Sequence, residues 1–381
     1  MTTSKGLEIE LFIPGLLGLK GVELPAELPT PAFDRFFSAA RGRISQPNSV
    51  AASGADNPQQ RAGTEALADS FGLDAASAEH WPTAAYCLSV DDPAWDRSGF
   101  WLHADPVHLR ADRDQLRLFD GGMLAISPEE ARELVAELNA HFSADGIRLH
   151  ATVPERWYLR APEPVDLRTR SLRSVIGATL AEAMPSGADA KRWNALMNEA
   201  QMLMHQSAVN HARAEAGRAA INGLWLSGAG AHAPLKLAPD LRLVISEDPL
   251  ALGLAHAGDL PTASLETSDL TKQLAGIPAG RVLLVEQHLG DALRRRDLTA
   301  WSEALQQLDR KLQPMMDWIL NHRDHQAEKL TMRWHDGTGT SWSWTQANSG
   351  SVRRWLGSLV RGRAASLSAV RAKVHSAESR Q

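Results

Sequence analysis

Four groups of residues in this sequence have types and spacings that could do chemistry. Gly63-Thr64-Glu65 stands ahead of a short apolar-periodic stretch, so Thr64 would open a helix. A hydroxyl there sits in the positive field of unsatisfied backbone amides, which suits phosphate binding or an activated nucleophile, and equally an ordinary N-cap. His103-Ala104-Asp105-Pro106-Val107-His108 follows a strand-like run. His103, Asp105 and His108 offer donors for a metal or a phosphate, but their spacing matches no strong zinc signature, and polar loop residues would look the same. Asn210-His211-Ala212-Arg213, Gly217 and Asn222-Gly223-Leu224-Trp225 form the third group. Arg213 carries a planar fork that fits phosphate or carboxylate, with Asn210 and Asn222 placed to position it, although the stretch also reads as a helix end and a turn. Arg156, on a short strand, is a similar candidate. Finally, His288, Asp291, Asp297, His335 and Asp336 offer metal donors in the C-terminal half. Arg294, Arg295 and Arg296 oppose a dication there.

Composition bounds what these groups can serve. The chain has 381 residues, a net charge of −5 and 44% hydrophobic residues, the profile of a soluble globular protein of one large domain or two. The longest apolar stretch, Leu11 to Leu19, is broken by Pro14, Gly15 and Gly18 and is too short to span a bilayer. The N-terminus lacks a signal layout, so a cytoplasmic location is expected. The single cysteine, Cys87, excludes an internal disulfide framework and a thiolate metal cluster. The slight acidity argues against broad nucleic-acid binding. Fourteen histidines are a reservoir of metal ligands, the arginine excess reads mainly as composition, and the twelve tryptophans read as core.

The elements that must position these residues follow from periodicity. Leu7–Ile13 reads as a buried strand ending in the turn Pro14–Gly18, and Pro31–Ala40 as a helix with Phe33, Phe36 and Phe37 at helical spacing. Ser45–Arg61 reads as a loop and Thr64–Phe71 as a short helix. Phe100–Leu102 and Gln115–Phe119 look like strands. Ser127-Pro128-Glu129-Glu130 is a capping box, opening a helix with Ala131, Leu134, Val135, Leu138 and Phe142 on one face and Gly146 as its stop. Ile147–His150 and Trp157–Leu159 form a strand pair, and one long helix spans about Lys191 to Ala214. Strands at Gly223–Leu226, Leu241–Ile245 and Arg281–Glu286 follow, then a helix over Leu298–Leu320 and a strand at Leu330–Trp334. Alternating strands and helices argue for an α/β core with helices on both faces. The basic stretch from Arg361 reads as a disordered tail.

Taken in order, these features resemble the archaeal-type cofactor-independent phosphoglycerate mutases of the alkaline-phosphatase-like superfamily, from about Leu7 to Trp355. The resemblance is closer still to bacterial regulatory proteins of the RpfE type. Thr30-Pro31-Ala32-Phe33-Asp34 is similar to the family's Thr-Pro-Asn-Leu-Asp helix start. Gly63-Thr64-Glu65 with Phe71-Gly72-Leu73-Asp74 is similar to its Gly-Ser-Asp turn and Leu-Gly-Tyr-Asp, which puts Thr64 at the place of the phosphorylated Ser. Ser127–Leu138 and Gly146–Leu159 resemble the helix and strand pair of its inserted domain. The run from Asn210 and Arg213 through Gly217 to Asn222 and Trp225 resembles its Asn-x-x-Arg…Gly…Ala-Asn-x-x-Trp pattern, the most specific match.

The resemblance implies an alkaline-phosphatase-like α/β core sheet with helices on both faces, built from 1–121 and 219–360. An inserted α+β domain would occupy 122–218, and a basic tail 361–381. Departures fall on the family's metal site. Pro14-Gly15 stands where the family has Asp-Gly, and Gln287–Arg294 replaces its Asp-Glu-Ala-Gly-His run. Near the place of its later Asp-His pair stands only His335-Asp336, in reversed order. The expectation is therefore a non-catalytic or weakly catalytic relative, without a cofactor, acting in regulation or anion binding. It would recognise a phosphorylated or carboxylated small molecule through Arg156, Arg213 and their neighbours, or a protein partner, with no membrane or nucleic-acid role. The alternative is an active phosphoglycerate mutase or phosphatase using Mn or Zn and a phospho-Thr64. A third reading is an interaction scaffold built on Trp334, Trp342, Trp344 and Trp355.

Overall fold

The computed structural model describes residues 6–18, 22–25, 28–39, 64–74, 81–112, 115–176, 183–267, 269–277, 279–321, 331–335, 341–345, 366–369 and 371. Chain order begins with β1 (Leu7–Phe12), α1 (Pro31–Ala39), α2 (Thr64–Phe71), α3 (Thr83–Asp91), β2 (Phe100–Asp112) and β3 (Gln115–Asp120). It continues through α4 (Pro128–Phe142), β4 (Arg148–Val153), β5 (Arg156–Ala161), α5 (Leu172–Val175), α6 (Ala190–Gln206) and α7 (Ala208–Glu215). Next come β6 (Gly223–Ala231), β7 (Leu241–Ser246), α8 (Pro249–Ala257), β8 (Thr262–Ala263), α9 (Leu270–Ala275) and β9 (Gly280–Val285). The last described strands and helices of this series are α10 (His288–Arg294), α11 (Leu298–Asn321), β10 (Thr331–His335) and β11 (Ser341–Thr345).

Two sheets organise the molecule. The first has the order β11-β10-β1-β9-β7-β8, parallel throughout except for the edge strand β11. The near-continuous apolar run of β9 has a direct cause. Val282 and Leu284 face a core shared with α1 and α11, whereas Leu283 and Val285 face a second core shared with α2, α3 and α8. A strand covered on both faces has no side left for polar residues. This is a mixed α/β fold with a parallel sheet flanked by helices, as the alternation of elements implied.

The second sheet is antiparallel, in the order β3-β2-β5-β4, with β6 also pairing β2. Its covered face packs Trp157, Leu159 and Trp225 against Leu134, Leu138 and Phe142 of α4 and Trp193, Met197 and Ala200 of α6. The capping box at Ser127 forms as its sequence requires, with the Glu130 amide donating to Ser127 Oγ and Glu130 Oε2 accepting from the Ser127 amide. Strands β2, β3 and β6 lie outside the 122–218 expected for an insert, and the sheet as a whole runs from 100 to 231.

Several local expectations need correction. The helix expected over Lys191–Ala214 is two helices, because Ser207 adopts an extended backbone (ψ 140°) and caps α7 by accepting from the Val209 amide. His103–His108 is no loop but part of β2, which runs for 13 residues. Pro106 lies between the stretches of β2 paired with β5 (Phe100–His103) and with β3 (from Val107), while β6 places Leu224 opposite it. Within the expected tail, Leu367 is buried in the first core and Arg371 Nε donates to the Leu16 carbonyl, with its guanidinium over the Trp301 ring. The expected loop over 45–61, Gly63, Asp336 and Trp355 lie outside the described residues. Trp342 and Trp344 fall on β11 opposite Trp334 and Met332 of β10. Among the described residues no helix is long and apolar enough to cross a membrane.

Candidate functional site

A cavity of about 760 Å³ opens between the C-terminal ends of the parallel strands and the antiparallel sheet. This is where open parallel α/β sheets place ligands, because the loops leaving the strand ends diverge there. From the parallel layer it takes Thr64, Thr83, Cys87, Asp248, Glu286, Gln287, His288, Asp291 and Arg295. From the other layer it takes His103, Asp105, Asp120, Arg156 and Arg173.

Three arginines on its wall each hold an aspartate. Arg156 pairs Asp91 through Nε at 2.6 Å and Nη2 at 2.7 Å. Arg173, from α5, reaches Asp248 through Nη1 at 2.7 Å and Asp291 through Nε at 3.1 Å. Arg295 holds Asp120 through Nε at 3.0 Å and Nη2 at 2.5 Å. Their side chains are 29%, 33% and 28% exposed. Among the described residues, Nη1 of Arg156, Nη2 of Arg173 and Nη1 of Arg295 make no hydrogen bond, so each fork keeps one donor nitrogen for something else. Burial opposes the charge of each guanidinium, but the paired aspartates more than offset it and all three stay cationic.

Beside the arginines lies a pair of groups whose charged forms burial opposes. Burial, with the nearby Arg156 charge, pushes the His103 ring down to about 3. Burial raises the Asp105 carboxyl to about 7, against the pull of Arg156 and of the Trp157 amide that donates to it at 3.3 Å. His103 Nδ1 is buried and has no hydrogen-bond partner among the described residues, and the same holds for Gln287 Oε1. Burial likewise raises the Cys87 thiol, which keeps it protonated and a poor nucleophile.

The structure therefore sorts the residues singled out in the sequence. Thr64, His103, Asp105, Arg156, His288 and Asp291 come together around the cavity. The rest of the expected anion site does not join them. Arg213 is buried away from the cavity lining, and each of its three nitrogens is engaged: Nε, Nη1 and Nη2 donate to Ala219 O, Glu130 Oε2 and Leu124 O. Asn210 closes on Met204 and Ile221, and Asn222 on both backbone groups of Leu109. These amides mend the backbone between α7 and β6 and position nothing for chemistry. His108 points to the opposite face of β2, where Nδ1 meets the Ala220 carbonyl at 2.8 Å. Alternation along the strand separates it from His103 and Asp105.

Sequence reasoning missed Arg173 and Asp248 and weighed Arg295 only as an obstacle. Asp248 did carry a signal: Asp248-Pro249 is a helix start, and Asp248 Oδ1 accepts from the Leu250 and Ala251 amides at 3.1 Å. Nothing near Arg173 marked it, because its role depends on a contact between distant parts of the chain.

The residues present do not fit a two-metal centre. Among the described residues no group of three or more His, Cys, Asp or Glu side chains could hold a metal ion. Asp248 and Asp291 are held by Arg173, and Arg294 adds a second cation on Asp291 at 3.0 Å. His288 is turned to Glu286, whose hydrogen bond raises the ring's pKa. His335 ends β10 in register with Phe12. At the end of β1, Pro14-Gly15 packs directly onto α10. Gly15 has φ +83° and any Cβ there would lie 2.9 Å from Leu289 C and Gly290 N.

No protein-family model and no curated protein matches this sequence. Among solved structures, the chain is similar to the PH0037 protein from Pyrococcus horikoshii, with a TM-score of 0.53 and 13% identity over 91% of this chain and 88% of that one. It also matches the cofactor-independent phosphoglycerate mutase from Thermoplasma acidophilum, with a TM-score of 0.38 and 13% identity over 91% and 90%. The first likeness bears on the fold, and neither bears on activity. The cavity offers three guanidinium forks each already paired with aspartate, the buried His103 and Asp105, and a helix-opening threonine, beside further carboxylates at Glu155, Glu247, Glu286 and Glu303.

Proposed function

We propose that this chain is a cytoplasmic anion-binding protein, a relative of the cofactor-independent phosphoglycerate mutases with regulatory rather than strong catalytic activity. Its ligand is a phosphorylated or carboxylated small molecule held in the cavity between the two sheets. The observation that carries this reading is the set of Arg156, Arg173 and Arg295 around one cavity, each fixed by an aspartate and each with one donor nitrogen unused among the described residues. A fork held rigid by one carboxylate loses little entropy when it binds a second anion. The motif resemblance around Thr64 and Arg156 agrees with a phosphoglycerate-like ligand. Calorimetric titration with 3-phosphoglycerate and with inorganic phosphate tests the reading. Saturable binding that weakens as salt rises is expected, and no saturable binding of either at millimolar concentration ends it.

A second reading is an active mutase or phosphatase with a phospho-Thr64 intermediate. It is favoured by one observation: Thr64 opens α2 on the same cavity that Arg156 lines from the other layer. A hydroxyl in the field of a helix N-terminus is placed to receive a phosphoryl group. It requires turnover of 3-phosphoglycerate that Thr64→Ala abolishes, assayed with Mn²⁺ and Zn²⁺. Turnover indifferent to Thr64→Ala removes it.

A further inference from the structure

Asp248 and Asp291 come from two different strand-end segments of the parallel layer, one at the head of α8 and one in α10, yet a single side chain from the other layer joins them. Arg173 Nη1 stands 2.7 Å from Asp248 Oδ2, and Nε stands 3.1 Å and 3.3 Å from the two oxygens of Asp291. Two carboxylates converging in a cleft are hard oxygen donors, the kind that hold divalent cations in phosphate-handling sites. Here one guanidinium on a tether, Arg173, bridges both carboxylates, and Arg294 adds a second contact to Asp291 alone at 3.0 Å. Burial would raise the Asp291 carboxyl, but Arg173, with Arg294 and Arg295, holds it below the usual range. The remaining nitrogen of Arg173, Nη2, has no partner among the described residues, and the side chain is one-third exposed to the cavity.

A second observation points to a ligand in the same cavity. His103 lines it, and its Nδ1, 3.8 Å from Asp105 Oδ1, is buried without a hydrogen-bond partner among the described residues. A buried polar atom left unpaired is costly unless something fills the place.

We propose that Arg173 is a tethered cation that occupies the Asp248–Asp291 site in place of a divalent ion and presents its outer nitrogen to the charged group of an anionic ligand. The proposal rests on the anion-binding reading above only for its second half. It makes two statements about the chain: anion binding needs no divalent metal, and removing Arg173 together with Arg294, which also pairs Asp291, opens a carboxylate pair to one. Lysine at 173 keeps the charge but not the fork, so it can satisfy one carboxylate and not bridge both.

The experiment uses the full-length protein, stripped with EDTA, and two probes: inorganic phosphate followed by calorimetry, and Mn²⁺ followed by electron paramagnetic resonance. In the wild type, phosphate affinity should change less than twofold on adding EDTA or Mn²⁺, and Mn²⁺ should find no site at this position. In Arg173→Ala, phosphate affinity should fall at least tenfold. With Arg294→Met added to free Asp291 of its second cation, the variant should acquire one Mn²⁺ site that a further Asp248→Asn removes. If Arg173→Ala does not fold by circular dichroism, Arg173→Met keeps the apolar stem and takes its place in both titrations. Loss of wild-type phosphate binding on chelation would overturn the proposal. So would a phosphate affinity unchanged in the single variant, or a double variant that takes up no Mn²⁺. Should the wild type bind no phosphate at all, the anion-binding reading fails, and the Mn²⁺ titration still decides whether Arg173 fills a cation site.

Discussion

Arg156 and Asp91 face each other as a bidentate pair, Nε to Oδ2 at 2.6 Å and Nη2 to Oδ1 at 2.7 Å, with the Tyr158 hydroxyl donating to the same Oδ2. The pair ties β5 of the antiparallel sheet to the last residue of α3 under the parallel one. Arg173 with Asp248 and Arg295 with Asp120 make the same kind of link elsewhere along the cavity. The two layers thus meet through charge pairs at the site itself and not only through apolar packing.

Removing the acid from such a pair strands its partners. Asp91 is nearly buried, so Asp91→Ala leaves a guanidinium and a phenol without their acceptor. The expected loss is about 3–5 kcal/mol, the range for breaking a buried pair on one side. Tyr158→Phe removes one hydrogen bond and should cost about 1 kcal/mol. Urea unfolding measures both. A loss below about 1 kcal/mol for Asp91→Ala would show that water replaces the carboxylate and that the link between layers is weak.

Arg213 should behave as a structural residue and not as a ligand contact. Its three donors bind Glu130 and two backbone carbonyls. Arg213→Ala is expected to destabilise the fold by at least about 3 kcal/mol while leaving phosphate affinity per folded molecule within twofold of the wild type. Arg156→Ala should instead weaken phosphate binding at least fivefold. Denaturant unfolding and calorimetry on the two variants separate the roles, and a specific loss of phosphate affinity in Arg213→Ala would reverse the assignment.

The contrast between Arg213 and Arg173 marks how far the sequence could be read. The layered α/β fold was legible because β9 is apolar on both faces and α4 carries a capping box and a single stripe, all local signals. Thr64, His103, Asp105 and Arg156 were legible as candidates because their types are unusual beside strand or helix ends. What spacing could not show was which donors the fold consumes. Asn210, Arg213 and Asn222 are spent on the junction between α7 and β6, and only the folded chain brings Glu130 and Leu109 to them. Arg173 meets Asp291 across 118 positions of sequence, a contact no local pattern encodes.

The turn after β1 gives a test of the packing that replaces a ligand position. Gly15 adopts φ +83°, its carbonyl accepts from Trp301 Nε1 at 3.0 Å, and a Cβ would stand 2.9 Å from the backbone of Leu289 and Gly290. Gly15→Ala meets both a left-handed backbone and a backbone clash, and should cost at least about 2 kcal/mol. Trp301→Phe keeps most of the apolar contact, loses the hydrogen bond, and should cost less. Thermal unfolding ranks them, and a Gly15→Ala melting temperature equal to wild type would show that α10 is free to move away from β1.

Asp105 predicts a pH dependence with a definite sign. Burial raises its carboxyl from the ordinary 3.8 to about 7 in the folded chain. The folded state therefore holds a proton that the unfolded chain releases near pH 4. Stability from this group is fully present below the unfolded value and is lost as pH rises towards 7. His103, depressed to about 3, works the other way, because the unfolded ring takes up a proton below about 6.5. Wild-type stability alone would blend the two. The difference between wild type and Asp105→Asn isolates the carboxyl, since both chains carry His103 and asparagine does not titrate. Between pH 5 and pH 8, Asp105→Asn should gain about 2 kcal/mol on the wild type, read from urea unfolding at each pH. A difference that stays constant across that interval would mean that Asp105 is ionised throughout, and that its charge is balanced by Arg156 rather than suppressed by burial.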